Sequence, residues 1–128
     1  INCPSSSWSF TTKEATKSFN GGDYEAFEKA LDEQIAIIDK SRKLLSDELD
    51  CRKSYDKSHS PEEWELAYKP LFSMISRTKA QLYFKKGLAD EMQIKYNEAE
   101  KNYNLCLKEN PLNKKCSSAL KKLRGKSL

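Results

Sequence analysis

Residues 80–113 read AQLYFKKGLADEMQIKYNEAEKNYNLCLKENPLN, and this stretch decides the fold. Apolar residues recur through it at helical intervals, Gly87 sits inside the first run, and Ala99 follows twelve residues later. Tyr103, Cys106 and Pro111 come next, at steps of four, three and five. Proline lacks a backbone N–H and its ring collides with the preceding turn, so the second helix ends within Glu109-Asn110-Pro111.

This spacing resembles the tetratricopeptide repeat (TPR) family, whose members stack antiparallel helix pairs. The resemblance implies that Gly87 and Ala99 are small so that two helices can approach closely, and that Tyr103 plugs the groove between them. Cys106 then takes the place of a small residue facing the next helix, and a helix over about residues 114–123 resembles the cap that ends such arrays. A weaker echo, Gly22-Asp23-Tyr24-Glu25-Ala26, looks like the turn entering a second repeat helix. The helix after it falls out of step and runs to about twice the family length. The implied fold is all-α: antiparallel, TPR-like helical hairpins with long N-terminal helices and a short basic C-terminal cap helix.

Upstream of the repeat, Asp23 can cap a helix in which Tyr24, Phe27, Leu31, Ile35, Ile38, Leu45 and Leu49 form one apolar stripe, predicted to run to about Arg52. A stripe of that length needs a long antiparallel partner. The sequence Ser60-Pro61-Glu62-Glu63 supplies one, with a Ser cap, a Pro at the first helical position and a Glu able to close a capping box. Trp64, Tyr68, Leu71, Phe72, Ile75, Leu82 and Tyr83 form its broad apolar face, and Pro70 predicts a kink or brief break near Tyr68 to Leu71. A short helix is predicted over about residues 12–19, after an extended lead or tether at 1–10 that includes Trp8 and Phe10. Residues 11–128 are then a single helical domain.

Composition agrees with that class. The chain has 128 residues, 38% hydrophobic and 33% charged, with four Gly and four Pro. This is too apolar for disorder and too poor in turn residues for an all-β fold. Its longest apolar runs, such as Ile35 to Ile38, fall far short of the roughly 20 residues a membrane helix requires.

Four cysteines, Cys3, Cys51, Cys106 and Cys116, are an even set without a C-x-x-C pair, as in chains that pass through an oxidising compartment. The expected location is therefore exported: periplasmic, envelope-associated or extracellular, with cytoplasmic as the alternative. Read through the repeat resemblance, Cys106 faces the cap helix and Cys116 sits in its first turn, so a bridge would staple the cap; two buried thiols are the other reading. Cys3 and Cys51 are a candidate second pair. Ile1-Asn2-Cys3 also reads as the end of a lipobox, with Cys3 acylated. No Asn-x-Ser/Thr sequon occurs.

The +4 net charge is unevenly placed. Of 23 basic residues, six (Lys114, Lys115, Lys121, Lys122, Arg124 and Lys126) follow Glu109 with no acid among them, leaving 17 bases against 19 acids elsewhere. This basic patch reads as attraction to an acidic protein, phosphate or an anionic membrane surface, or as a solvated helix with cations near the favourable end of its dipole. No aromatic interleaves these bases as a nucleic-acid stacking surface would require.

Catalysis has little to draw on, so no catalytic residue, metal or cofactor is expected. His59, the one histidine, lies in a polar loop, and no phosphate-binding or nucleophile motif is present. Binding is the better expectation. The resemblance implies that Gln81, Phe84, Leu88, Glu91 and Met92 line an inner groove, the alternative being that Phe84, Leu88 and Met92 are core. Chaperone-tail binders of the family carry Lys and Asn where Phe84 and Leu88 stand, so an apolar groove for a partner helix fits better than a carboxylate clamp. The expected function is a non-enzymatic adaptor holding a peptide or helix of a larger assembly, with a homodimer through the long hairpin as the alternative. Membrane contact would come only through a lipid on Cys3 or the basic C-terminus.

Overall fold

The computed structural model describes residues 2–5 and 21–126. Among these residues are four helices: α1 over Tyr24–Tyr55, α2 over Pro61–Met92, α3 over Tyr96–Glu109 and α4 over Lys114–Lys126. No strand occurs among the described residues. The helix predicted over residues 12–19, with Trp8 and Phe10 before it, lies outside them.

Local chemistry sets the helix starts. Asp23 accepts from Ala26 N at 3.1 Å at the head of α1. At the head of α2 the capping box closes in both directions: Glu63 N donates to Ser60 Oγ at 3.1 Å and Ser60 N donates to Glu63 Oε1 at 3.0 Å. Asn113 Oδ1 accepts from Cys116 N at 3.0 Å in the first turn of α4.

The α1/α2 hairpin is antiparallel over its whole length. As the position falls along α1 through Lys53, Arg42, Asp39, Asp32 and Glu28, the bonded partner on α2 and just beyond it rises through Glu65, Ser76, Lys79, Lys86 and Gln93. Between these polar flanks lies an apolar core of Phe27, Leu31, Ile35, Ile38 and Leu45 from α1 against Tyr68, Ile75, Leu82 and Ala89 from α2. Leu31, Ile38 and Ile75 are completely inaccessible, and each such side chain contributes about 1.5–3 kcal/mol of transfer free energy.

The brief break, one of the two outcomes expected at Pro70, does not occur: α2 continues through it as one helix of 32 residues. Proline deprives the Leu66 carbonyl of its helical donor, but Pro70 and Leu66 both lie on the exposed side, where water can take that donor's place. Leu71 is likewise exposed rather than core, because Tyr68, Phe72 and Ile75 occupy the inward positions on either side of it.

After Met92 the chain turns within three residues, and α3 packs back antiparallel on the C-terminal part of α2. The turn holds Ile94 in the left-handed region at φ 59°, with its side chain exposed. A second core joins α2, α3 and α4 through Ala80, Ala99, Tyr103, Cys106, Cys116, Leu120 and Leu123, and Tyr83 packs against both cores. The expected close approach is present. A Cβ built on Gly87 would fall 2.3 Å from Tyr103 Cε1, and Ala99 is fully buried.

Two disulfides close the structure, Cys3–Cys51 and Cys106–Cys116. The first ties the lead segment to the last turns of α1, and the second fastens α4 to α3. No helix of the described residues is long and apolar enough to cross a membrane.

Candidate functional site

The C-terminal part of α2 and α4 leave an open groove between them. Its deeper part, about 550 Å³, is lined by Phe27, Gln81, Phe84, Lys85, Leu88 and Asn113, together with Lys114 and Lys115. An adjoining part of about 590 Å³ shares Phe84 and Leu88 and extends along α4 past Ser118 to Lys122 and Lys126, with Glu91 on the opposite wall. Phe84 and Leu88 are half-buried and form the apolar floor common to both parts.

Four of the five residues expected on this face are there: Gln81, Phe84, Leu88 and Glu91. Met92 is not. The lining contributed by α2 stops at Glu91, and Met92, the last residue of that helix, lies just past it. Met92 is 59% exposed at the end of α2. Phe84 also packs against the second core, its ring 5.9 Å from that of Tyr103, so it serves floor and core at once.

Charge is distributed one-sidedly around this floor. Lys114, Lys115, Lys122 and Lys126 of the basic run line the groove, whereas Lys121 and Arg124 are exposed outside its lining. Lys114 and Lys115 occupy the first turn of α4, the positive end of its dipole, where cations are disfavoured; only Arg124 and Lys126 have the favourable end. Lys115 Nζ lies 5.9 Å from the centre of the Phe84 ring. The one carboxylate of the lining, Glu91, is already engaged: it accepts from the Tyr103 hydroxyl and pairs with Lys126 at 3.5 Å. Burial and that bond to Glu91 raise the Tyr103 hydroxyl pKa.

Sequence reasoning did not identify Phe27, Lys85 or Asn113 as lining. Lys85 follows Phe84 but points about 100° round the helix from it, so periodicity carried no signal for it; Phe27 belongs to α1, and only docking brings it near.

Two polar clusters lie outside the groove lining. Glu109 at the end of α3 is held by Arg42 at 2.8 Å and Lys79 at 3.3 Å, and Lys79 also meets Asp39 at 2.7 Å. Burial opposes ionisation of Glu109, but the Arg42 hydrogen bond and the charges of Arg42 and Lys79 hold its pKa below the ordinary value. At the other end of the hairpin, Asn102 Nδ2 donates to Asp90 Oδ2 at 2.6 Å. Burial, with the adjacent Glu28 carboxylate, pushes Asp90 up to about 7.

His59 stands near Glu63, Nδ1 to Oε2 3.5 Å, with its ring against the edge of Trp64 in the loop before α2. No group of three or more His, Cys, Asp or Glu side chains gathers at metal-binding distance among the described residues. No family model, no curated protein and no solved structure matches this chain.

Proposed function

We propose that this chain is a non-enzymatic interaction adaptor, exported and TPR-like, that holds a peptide or helix of a larger assembly in the groove between α2 and α4. The observation that carries this reading is the open apolar floor of Phe84 and Leu88, accessible between α2 and an α4 that a disulfide fastens to α3. Gly87 under Tyr103, buried Ala99 and the break after Glu109 support the repeat-like geometry. The two disulfides support export, since such bonds persist in oxidising compartments.

The test is a photo-crosslinking amino acid at position 84, introduced in the cells that make the protein. A discrete adduct with a different polypeptide supports the adaptor; adducts only with a second copy of the chain overturn it. One observation favours that second reading, self-association: Ile37 and Leu44 stand exposed a heptad apart on α1. Sedimentation at rising concentration separates the two, because an adaptor stays monomeric and a dimer through α1 does not.

A further inference from the structure

Building on the adaptor reading, we propose that the groove's occupant is an acidic amphipathic helix: an apolar stripe on the Phe84–Leu88 floor, with carboxylates facing the lysines on the walls. The argument is charge complementarity. The one carboxylate in the lining, Glu91, is satisfied by Tyr103 and Lys126 within the chain. Lys85, Lys114, Lys115 and Lys122 line the same walls and make no salt bridge among the described residues. Lys79 and Lys86, also on α2 but outside the lining, by contrast meet Asp39 and Asp32. The groove lining therefore carries net positive charge, five lysines against one carboxylate, and the dipole of α4 adds to it beside Lys114 and Lys115.

Dimensions fix the occupant's form. The lining of α2 runs from Gln81 to Glu91, about 15 Å at a rise of about 1.5 Å per residue, which matches roughly three turns of a docked helix. Apolar residues at three- and four-residue intervals would meet Phe84 and Leu88, and acidic residues flanking that stripe would reach Lys85 on one side and Lys115 and Lys122 on the other. A cationic or neutral helix would find the same floor but not the same walls.

The full-length, disulfide-bonded chain is titrated with three labelled synthetic helices of one apolar stripe, flanked by Glu, Gln or Lys. The Glu peptide is expected to bind about tenfold tighter than the Gln peptide, and the Lys peptide more weakly still. Added salt should shrink that difference, because Lys114, Lys115 and Lys122 are exposed. Lys115→Glu combined with Lys122→Glu should invert the order while leaving helix content unchanged. Phe84→Ala should weaken all three peptides, and Leu88→Gln serves if that variant is unstable. Equal binding of all three peptides overturns the acidic occupant and leaves the groove as a docking site. Absence of binding by any of them overturns both. Binding to phosphatidylglycerol vesicles without binding of the Glu peptide overturns the proposal in favour of a membrane surface.

Discussion

Gly87 and Tyr103 interlock so tightly that the ring fills the space a side chain at Gly87 would need, its Cε1, Cδ1 and Cζ atoms lying 2.3, 2.7 and 2.8 Å from a Cβ built there. The contact sets how closely α2 and α3 approach at this point. Alanine at position 87 gains about 1 kcal/mol of helix propensity but must displace a fully buried ring. Gly87→Ala should therefore destabilise the fold by a net of about 1–3 kcal/mol in chemical denaturation. Adding Tyr103→Leu should recover part of that loss, and a strictly additive double mutant would show that the two positions are not coupled.

Asp90 gives the fold a pH dependence with a definite sign. Its pKa is raised from 3.8 to about 7 in the folded chain. Between those values the folded state keeps a proton that the unfolded state has released. The stabilising contribution is thus complete below the unfolded value and lost as pH rises through about 7. Asp90→Asn imitates the protonated form and can still accept from Asn102. Thermal scans from about pH 5 to about pH 8 should show a falling midpoint for the native protein and a flatter profile for the variant. Identical slopes would remove Asp90 as the cause.

Ile94 is held at φ 59° although its side chain is 73% exposed and packs against little. A β-branched residue in the left-handed region costs about 1–2 kcal/mol. Glycine relieves that strain and loses some of the gain to the larger freedom of the unfolded chain. Ile94→Gly should stabilise the protein by about 0.5–1 kcal/mol, read as a higher thermal midpoint without change in helix content. A lower midpoint would mean that the exposed isoleucine contributes packing after all.

Cys106 and Cys116 are both fully buried and close a loop of ten residues' separation, which joins α4 to the rest of the molecule. Replacing both by Ser should cost about 2–3 kcal/mol from restored freedom of the unfolded chain, plus the penalty of burying two hydroxyls. Hydrogen exchange should report the loss first in α4, with α1 retaining its protection. Uniform loss of protection across all helices would show that α4 is not a separable unit.

Much of the fold is legible without coordinates because helices are specified locally. The cap at Asp23, the box at Ser60 and Glu63, and the stripe from Phe27 to Leu45 depend on residues within a turn or two of one another. The closeness of Gly87 and Tyr103 is legible for the same reason, as a matter of residue size at a fixed spacing. Pro70 shows the limit: its type predicts a kink or a brief break, but whether the helix breaks depends on which side of the bundle it faces.

The sequence by itself determined four things about this protein: its helical class, the starts of α1 and α2, the small-residue seam near Gly87, and a C-terminal excess of lysine. Only the tertiary structure decided that Arg42 meets Glu109 across 67 positions, that Phe27 reaches the groove, that Met92 lies just past it, and that four of the six terminal bases line one apolar floor. Periodicity and capping are properties of neighbouring residues. The register in which two finished helices dock is set by the fit of whole faces, and that fit places lysines from one helix opposite a phenylalanine and a leucine from another.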